Sequence, residues 1–349
     1  MIAATSLSSQ FIASSAEASI EPVAWRKALA DAVSSADELC RLLNIDLEQM
    51  SPGAGALREF PLKVPRGFVS RMRRGDANDP LLLQVFPFAA EEKAVAGFGV
   101  DPVGDLLSRA ATGLLHKYEG RALLIATGAC AVHCRYCFRR HFPYSDESAL
   151  QNGWSAALDQ VRADTSVNEV ILSGGDPLSL SDRRLIQLTD QLATVPHVKR
   201  LRIHTRYPIV LPERVDAGLL AWLEGVSLQK VLVIHANHAQ EIDDSVRSAC
   251  TRLRERGVTL LNQSVLLAGV NDDASTLAEL SEALFAVGVL PYYLHVLDKV
   301  AGAAHFAIAD AKALEIHTQL AARLPGYLVP KLVREIAGAP AKMPVTAIP

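Results

Sequence analysis

The chain has 349 residues, half of them hydrophobic, and its 35 basic and 38 acidic residues give a formal net charge of −3. That length and apolar content suffice for a large buried core, either in one large α/β domain with an appendage or in two domains. The balanced, well-mixed charge argues against a surface for nucleic acid or anionic membrane, so a small polar substrate is expected.

The first twenty residues are rich in Ser and Ala and contain no Lys or Arg. A secretory signal has a basic start and a mitochondrial presequence is rich in Arg, so residues 1–20 are predicted to form a disordered leader. The apolar runs are far shorter than the roughly 20 residues of a membrane helix. We therefore expect a cytoplasmic protein whose thiols are reduced.

Residues 21–115 are predicted to form an N-terminal helical region. From residue 121 the chain alternates short aliphatic runs with amphipathic stretches, and the runs predict strands at 121–126, 169–173, 200–205, 230–236, 259–265 and 290–297. This alternation is typical of a parallel sheet wrapped by helices. We predict an α/β fold with a partial, TIM-like (β/α)6 barrel over residues 116–325 and a C-terminal segment over 326–349.

Polar residues follow these strands at their carboxyl ends, where barrels of this type place their active sites. In chain order they are Cys130, Gly174-Gly175-Asp176, His204 with Arg206, His235 with Asn237, Gln263 and Asp298. One such residue could simply mark the point where a strand meets water. Because polar residues follow all six strands in succession, we favour an active site at the carboxyl-terminal edge of the barrel.

Three of the five cysteines fall within eight positions of the stretch GACAVHCRYCFRRH, residues 128–141. In a reducing compartment this clustering favours metal or redox chemistry over disulfides. A structural zinc site would usually have four ligands, and only Cys130, Cys134 and Cys137 are close in sequence, although His133 could complete such a site. Three ligands with a vacant fourth position favour a four-iron cluster whose open iron binds a substrate or cofactor.

The loop CAVHCRYC resembles the CxxxCxxC loop of the radical S-adenosylmethionine enzymes, including an aromatic residue, Tyr136, before the last cysteine. The resemblance implies a [4Fe-4S] cluster that binds and cleaves S-adenosyl-L-methionine. The segment SGGDP resembles the glycine-rich motif of that family, which implies that Gly174, Gly175 and Asp176 help to hold the methionyl amine. Glycine permits the close backbone approach that such a contact requires.

Further segments resemble the lysine 2,3-aminomutase family, which also uses pyridoxal 5'-phosphate: CFRR, LNQSVLL, PYYLHVLD and GYLVPKLVREIAGAPAKMP. The wording HCRYCFRRHFPY and HVLDKVAGAAHF is more similar still to the branch that makes β-lysine for modification of elongation factor P. The resemblance implies an isomerase that converts L-lysine to the R form of β-lysine. It also implies an external electron donor, a pathway link to elongation factor P and its lysyl ligase, and a homo-oligomer.

Local matches to the family imply four catalytic residues. Lys342, in AKMP, matches the lysine to which pyridoxal phosphate is bound covalently, and Lys331, in VPKLV, is the competing candidate. Arg139 matches the arginine that pairs with the substrate carboxylate, which a planar guanidinium can hold through two hydrogen bonds. Asp298 and Glu335 match carboxylates that face the ε-ammonium of the substrate, and Glu335 stands where better-known members have Asp.

The same matches imply further cofactor contacts. Arg121 and Lys117 correspond to basic residues near pyridoxal phosphate, and Gln263 and His235 fall at cofactor positions. The chain departs from the family at GAPAKMP, where other members have a glycine run and Lys-Thr-Pro, so an inactive homologue stays open.

The residues leave two more possibilities open. One is a related aminomutase that acts on another amino acid or in lysine catabolism, and the second is a structural zinc-binding module. An acidic pair favours a diamino acid over glutamate, whose distal carboxylate would be repelled.

Overall fold

The computed structural model describes residues 24–147 and 154–346, so the leader expected over residues 1–20 lies outside the described residues. The α-helices are α1 (Ala24–Ala30), α2 (Ala36–Leu43), α3 (Ala54–Glu59), α4 (Arg66–Val69), α5 (Pro80–Leu83), α6 (Ser155–Ala163), α7 (Asp182–Ala193), α8 (Tyr207–Val210), α9 (Ala217–Gly225), α10 (Asp244–Glu255), α11 (Ala274–Ala286) and α12 (Asp310–Ala321). The strands are β1 (Arg109–Ala111), β2 (Leu114–Tyr118), β3 (Arg121–Thr127), β4 (Glu169–Gly174), β5 (Arg200–Thr205), β6 (Gln229–Ile234), β7 (Thr259–Leu266), β8 (Leu290–Val296), β9 (Lys331–Arg334) and β10 (Met343–Pro344).

The strands form one sheet whose spatial order follows the chain from β1 to β10. Neighbouring strands from β3 to β9 are parallel, whereas β1, β2 and β3 pair antiparallel, as do β9 and β10. The predicted α/β partial barrel is confirmed. The structure adds a seventh parallel strand, β9, from the segment that the sequence assigns to the C-terminal tail.

One row of side chains across the parallel strands explains why the sheet is covered by helices. The residues of this row, which are register partners on neighbouring strands, are all almost completely buried: Leu124, Leu172, Ile203, Leu232 and Leu260. Because side chains alternate along a strand, the preceding residues Leu123, Ile171 and Arg202 face the opposite side and line a central cavity. The sheet therefore has an apolar outer face and a mixed inner face.

The helices between the strands begin where aspartates cap them. Asp216, Asp243 and Asp273 precede α9, α10 and α11, and each side chain accepts a hydrogen bond from a backbone N–H of the first turn. Helix α7 buries Leu185, Leu188 and Leu192, an i, i+3, i+7 spacing that forms one apolar stripe. No helix in the described part of the chain has the length and apolar character needed to cross a bilayer.

The N-terminal region expected over residues 21–115 contains α1 to α5. An antiparallel bridge joins Val33, between α1 and α2, to Val64, between α3 and α4. Its last residues also contribute β1 and the start of β2 to the sheet. Strand β2 thus runs across the expected boundary between residues 115 and 116. The division into domains stays a prediction.

Candidate active site

A cavity at the carboxyl ends of the parallel strands is lined by every residue to which the sequence assigns a role. These residues are Cys130, Cys134, Cys137, Tyr136, Gly174, Gly175, Asp176, Lys117, Arg121, His235, Gln263, Arg139, Asp298, Glu335 and Lys342. They come from β2, from the start of β3 and the loop after it, from the ends of β4, β6 and β8, from β7, and from the C-terminal hairpin. The fold thus brings together residues that span 226 positions of sequence, Lys117 to Lys342 inclusive. Their individual roles remain predictions.

The loop after β3 carries the cysteines and packs on the loop after β4. The backbone N–H of Gly175 donates to the carbonyl of Thr127 at 2.7 Å, and that of Asp176 donates to the carbonyl of Ala129 at 2.8 Å. A Cβ atom on Gly175 would lie 2.5 Å from the Ala129 oxygen, well inside contact distance. Glycine is required here because the two loops touch each other. The sequence analysis instead expected the close backbone approach to be made to a ligand.

The cysteine arrangement fits a four-iron cluster better than a zinc ion. Within the described ranges, no three His, Cys, Asp or Glu side chains converge closely enough to hold one metal ion. A four-iron cluster takes its thiolates on different irons, so its cysteines need not meet at one point. His133, the candidate fourth zinc ligand, has its Nδ1 atom 2.7 Å from the carbonyl oxygen of Pro61 and stacks on Phe60.

Tyr136 is held by the rim of the barrel. Its hydroxyl accepts a hydrogen bond from Nδ2 of Asn237, just beyond β6, at 2.7 Å. Its ring packs edge-on against Phe306, with ring centroids 6.3 Å apart. The aromatic residue of the cysteine loop is therefore fixed in the cavity wall, and its contact with S-adenosylmethionine stays a prediction.

The carboxylate of Asp176 is enclosed by donors of the chain itself. Its Oδ1 atom accepts from the backbone N–H of Leu178 at 3.0 Å and from the Thr205 hydroxyl at 2.7 Å, and its Oδ2 atom accepts from the backbone N–H of Arg206 at 2.6 Å. Burial raises the pKa of Asp176 to about 6. Asp176 thus connects the loop after β4 to the end of β5, while its predicted contact with a cofactor remains untested.

Lys342 reaches the cavity because the chain turns back between β9 and β10. Glu335 directly follows β9 and Lys342 directly precedes β10, and Nζ of Lys342 donates to Oε2 of Glu335 at 2.8 Å. The same nitrogen lies 5.9 Å from the centre of the Tyr293 ring. Lys331, the competing candidate, is exposed at the start of β9. The geometry supports Lys342 as the lysine that can reach a cofactor.

A line of alternating charges crosses the cavity, and we call Lys342, Glu335, Lys117, Asp105 and Arg139 the charge line. Glu335 accepts from Lys342 through one oxygen and from Nζ of Lys117 through the other, at 2.7 Å. Lys117 pairs with Oδ1 of Asp105 at 2.6 Å, and Oδ2 of Asp105 accepts from Nε of Arg139 at 2.6 Å. Although burial acts to raise it, the pKa of Glu335 is lowered to about 2 because both lysines stabilise its charge.

Arg139 is almost fully buried, with 7 % of its side chain exposed. Its Nε atom donates to Asp105 and its Nη1 atom donates to the hydroxyl of Ser173 at 3.0 Å. Within the described part of the chain, Nη2 has no hydrogen-bond partner. Arg139 therefore keeps one edge of its guanidinium for an anion in the cavity.

Asp298, two residues beyond β8, is a cavity carboxylate without a partner among the described residues. Four carboxylates line the cavity, and three of them, Asp105, Asp176 and Glu335, bind donors of the protein. Among the described residues Asp298 has neither an ion pair nor a side-chain hydrogen bond. Burial raises its pKa to about 7, with the nearby charge of Glu335 acting in the same direction. Asp298 is available to a cation that enters the cavity.

Several imidazole and basic groups line the same cavity as the cysteines. Nε2 of Gln263 lies 2.9 Å from Nε2 of His235, and burial lowers the pKa of His235 to about 3, so this ring is neutral. The Nε2 atoms of His204 and His295 are buried without a partner in the described residues. Orphaned donors beside Lys342 and Arg121 fit an anionic aromatic cofactor such as pyridoxal phosphate.

Several residues of the site carry no local sequence signal. Nη1 of Arg206 donates to Sγ of Cys134 at 2.8 Å, and Nη2 donates to Gln84 at 2.7 Å and to Glu241 at 3.0 Å. Arg206 could be noticed only by its position after a predicted strand. Gln84 and Asp105 lie in the predicted N-terminal region, far from any motif. Only the tertiary fold brings Asp105 into the cavity wall and Gln84 against Arg206.

Comparison with known proteins shows similarity to L-lysine 2,3-aminomutases. The chain is 52% identical over 322 residues to the L-lysine 2,3-aminomutase of Escherichia coli (strain K12), covering 92% of this chain and 94% of the relative. It is 46% identical over 318 residues to the L-lysine 2,3-aminomutase of Haemophilus influenzae, covering 91% and 94%. No family model matches the chain.

Among solved structures, a radical SAM methyltransferase from Sphaerobacter thermophilus is similar over 63% of this chain and 68% of its own. The TM-score is 0.43 and the sequence identity is 16%.

Proposed function

The chain belongs to the lysine 2,3-aminomutase family of radical S-adenosylmethionine enzymes, and from that premise we propose that it is an isomerase converting L-lysine to β-lysine. The observation that carries the proposal is the polarity of the cavity. Arg139 presents a free guanidinium edge at one end of the charge line, and the unpaired carboxylate of Asp298 lies near its other end. A substrate with a carboxylate at one end and an ammonium at the other satisfies both groups.

Three cofactors belong to the family's reaction, and the described residues fit them. Cys130, Cys134 and Cys137 would hold the [4Fe-4S] cluster, and Lys342 would hold pyridoxal phosphate. When bound, the cluster with S-adenosyl-L-methionine supplies a carbon radical that takes a hydrogen atom from the substrate, and pyridoxal phosphate carries the migrating amino group.

The residues of the chain orient the substrate. Arg139, fixed by Asp105 and Ser173, would bind the α-carboxylate through Nη2. Asp298, in its ionised form, would bind the ε-ammonium. Two clamps of opposite charge define which carbon of the substrate lies between the cysteines and Lys342, and orientation of this kind supplies a large part of a rate enhancement.

The same two clamps set the choice of substrate. Glutamate would bring its distal carboxylate against Asp298 and Glu335, and like charges there cost several kcal/mol. Among common amino acids, lysine matches the acidic end in both charge and length.

The cavity wall also limits contact with water. Leu123, Ile171, Val265 and Leu297 line it between the charged groups. Their apolar side chains offer water no hydrogen bonds, which protects a reactive species formed in the cavity and strengthens the charged contacts around it.

We further propose that the product is the R form of β-lysine and that it serves, in the cytoplasm, for modification of elongation factor P by a separate lysyl ligase. The support is the similarity of HCRYCFRRHFPY and HVLDKVAGAAHF to that branch of the family. An external electron donor and a homo-oligomer are part of this proposal. A role in lysine catabolism is the competing proposal within the family.

Anaerobic turnover tests the reaction. The protein is reconstituted with iron and sulfide, reduced, and given S-adenosylmethionine, pyridoxal phosphate and L-lysine, and chiral chromatography measures β-lysine and its hand. Cys134→Ala and Lys342→Ala are expected to abolish the product, whereas Lys331→Ala, a change at an exposed lysine, is expected to retain it. Cleavage of S-adenosylmethionine without β-lysine would reject lysine as the substrate.

The role of the product needs a second assay. Product from the first reaction is added to elongation factor P with its ligase, and mass spectrometry measures the adduct. A ligase that uses the product in preference to L-lysine supports the modification role, and one that ignores it favours a catabolic role.

A further inference from the structure

Arg206 is a buried arginine in contact with Cys134, in the loop after β3, and it has no role in the reaction proposed above. Only 5 % of the residue is exposed. Its Nη1 atom donates a hydrogen bond to Sγ of Cys134 at 2.8 Å. The structure records no side-chain donor to the sulfur of Cys130 or Cys137 within the described ranges. One of the three thiolates is therefore singled out for a charged hydrogen bond.

The guanidinium is held in this position from three parts of the chain. Its Nη2 atom donates to Oε1 of Gln84 at 2.7 Å and to Oε2 of Glu241 at 3.0 Å. Gln84 follows α5, and its Nε2 atom donates in turn to Oε1 of Glu241 at 3.1 Å. The guanidinium also lies 5.4 Å from the Phe68 ring centre and 5.7 Å from that of Tyr136. Rotation away from Cys134 would break all of these contacts together.

From this geometry we propose that Arg206 sets the reduction potential of the iron–sulfur cluster through its hydrogen bond to the sulfur of Cys134. The inference rests on the cluster of the proposed function and deepens it. Hydrogen bonds to cluster sulfurs and nearby charge are the means by which a protein tunes such a potential. Arg206 is thus a charged donor placed on one of the three cluster ligands, where it can tune the potential.

The direction of the effect follows from charge. On reduction the cluster accepts one electron from the external donor and becomes more negative. A cation that donates a hydrogen bond to a ligand sulfur stabilises the more negative state, so Arg206 raises the potential. Glu241 offsets part of the charge of Arg206 without removing its hydrogen bond to Cys134. Loss of Arg206 is therefore expected to make the cluster harder to reduce.

Two variants separate the hydrogen bond from the charge. Arg206→Lys keeps a cation that lacks the planar fork, which holds Cys134, Gln84 and Glu241 at once. The double variant Arg206→Met with Glu241→Gln removes the side-chain donor and its buried counter-ion together, so no unpaired charge stays in the interior. Arg71→Gln is the matched control, because Arg71 is a buried arginine that donates to the backbone carbonyl oxygen of Glu241 and touches no cysteine.

The measurement is a redox titration of the full-length, anaerobically reconstituted protein, followed by electron paramagnetic resonance, with iron and sulfide counted per chain. The double variant is expected to titrate at a lower midpoint potential than the wild type, with Arg206→Lys between them and Arg71→Gln unchanged. Equal midpoints in cluster-loaded wild type and double variant would overturn the proposal. An equal shift in Arg71→Gln, or failure of both Arg206 variants to take up a cluster, would overturn it as well, because the contact would then be structural.

This test does not depend on turnover. A wild-type protein that binds the cluster but makes no β-lysine would reject the proposed reaction, and the comparison of potentials would still decide the role of Arg206. Conversely, normal β-lysine formation with unchanged potentials would reject only the role of Arg206.

Discussion

The Nε atom of Arg139 lies 2.6 Å from Oδ2 of Asp105, and both side chains are buried, with 7 % and 3 % exposed. The pair joins the cysteine loop to a segment that precedes the barrel. Because Nη1 of Arg139 donates to Ser173 as well, two nitrogens of the guanidinium are held, and Nη2 has no hydrogen-bond partner among the described residues. In the proposed function Asp105 would act on the substrate through Arg139, as a positioning residue.

Asp105→Asn is expected to lower kcat/KM for L-lysine about 10- to 100-fold, as loss of a charged hydrogen bond to a buried partner does. Most of the change is expected in KM, because Arg139 binds the substrate before any bond is broken. Steady-state kinetics under anaerobic conditions measure this. Asp101→Asn is the control, since Asp101 accepts from the backbone N–H of Asp105 and leaves the Arg139 pair intact. Equal losses in the two variants would contradict the assignment.

The KM for L-lysine is expected to fall as the pH rises through about 7, since Asp298, whose pKa burial raises to about 7, must be ionised to bind an ammonium. Asp298→Asn is expected to remove this pH dependence and to raise KM throughout. Kinetics between about pH 6 and pH 8.5 cover the transition. A wild-type KM that is flat over this range would contradict the role of Asp298.

The Asp298→Asn substitution, which should weaken substrate binding, is expected to make the folded protein more stable. A carboxyl whose pKa is raised in the folded state disfavours folding once it must ionise, and this cost grows between its unfolded pKa, about 3.9, and its folded value. Asp298→Asn is therefore expected to raise the melting temperature, with a gain that increases toward pH 7 and levels off above it. Scanning calorimetry of the reconstituted protein at several pH values measures the gain. A variant that melts lower than wild type at pH 8 would refute the prediction.

Glu335→Gln is expected to destabilise the protein by about 3 kcal/mol, because it leaves two largely but not fully buried cations, Lys342 and Lys117, without their shared counter-ion. The pKa of Glu335 is lowered to about 2, so its contribution is fully present above the unfolded pKa of about 4.3 and is lost as the pH falls toward 2. Denaturation at neutral pH measures the loss. Glu315→Gln, which breaks a pair with Lys312 that is half exposed on both sides, should cost less than about 1 kcal/mol. An equal loss of unfolding free energy in both variants would show that the Glu335 ion pairs stabilise the protein no more than an exposed pair does.

Gly175→Ala is expected to prevent stable cluster binding, because its Cβ would lie 2.5 Å from the backbone oxygen of Ala129 and would push the cysteine loop away. Iron and sulfide per chain after anaerobic reconstitution give the result, with circular dichroism to confirm the fold. Gly225→Ala is the matched control, since a Cβ there meets no atom within 4 Å. Full iron content in Gly175→Ala would mean that the two loops can separate without loss of the site.

The strands of the barrel could be predicted because each of them carries aliphatic residues on the outer, buried face of the sheet. The predicted bounds 200–205 coincide with β5, and the other five predicted strands differ from the observed ones by one or two residues at one or both ends. This short aliphatic pattern is visible locally in the sequence. Strands β1, β2, β9 and β10 were not predicted, because they are short, lie at the two edges of the sheet and include exposed or polar residues.

The site was predictable only where a motif carried it. The cysteines, the Gly174-Gly175-Asp176 segment and Lys342 belong to recognisable segments, and all line the cavity. Asp105 and Gln84 reach the site through contacts that span 34 and 122 residues, to Arg139 and Arg206. Such long-range pairing leaves no periodic pattern in the sequence, so only the structure reveals it.

Strand β10 is two residues long, and β9 is its sole partner in the described sheet. Lys342 is therefore attached through the edge of the sheet, where strands separate at the lowest free-energy cost, while the cysteine loop is anchored in the interior. Lys342 can detach from its counter-ion without any change in the barrel. Amide protons at residues 343 and 345 are accordingly expected to exchange with solvent deuterium much faster than those of β3 to β8, which makes the end of the site that carries Lys342 its first part to open.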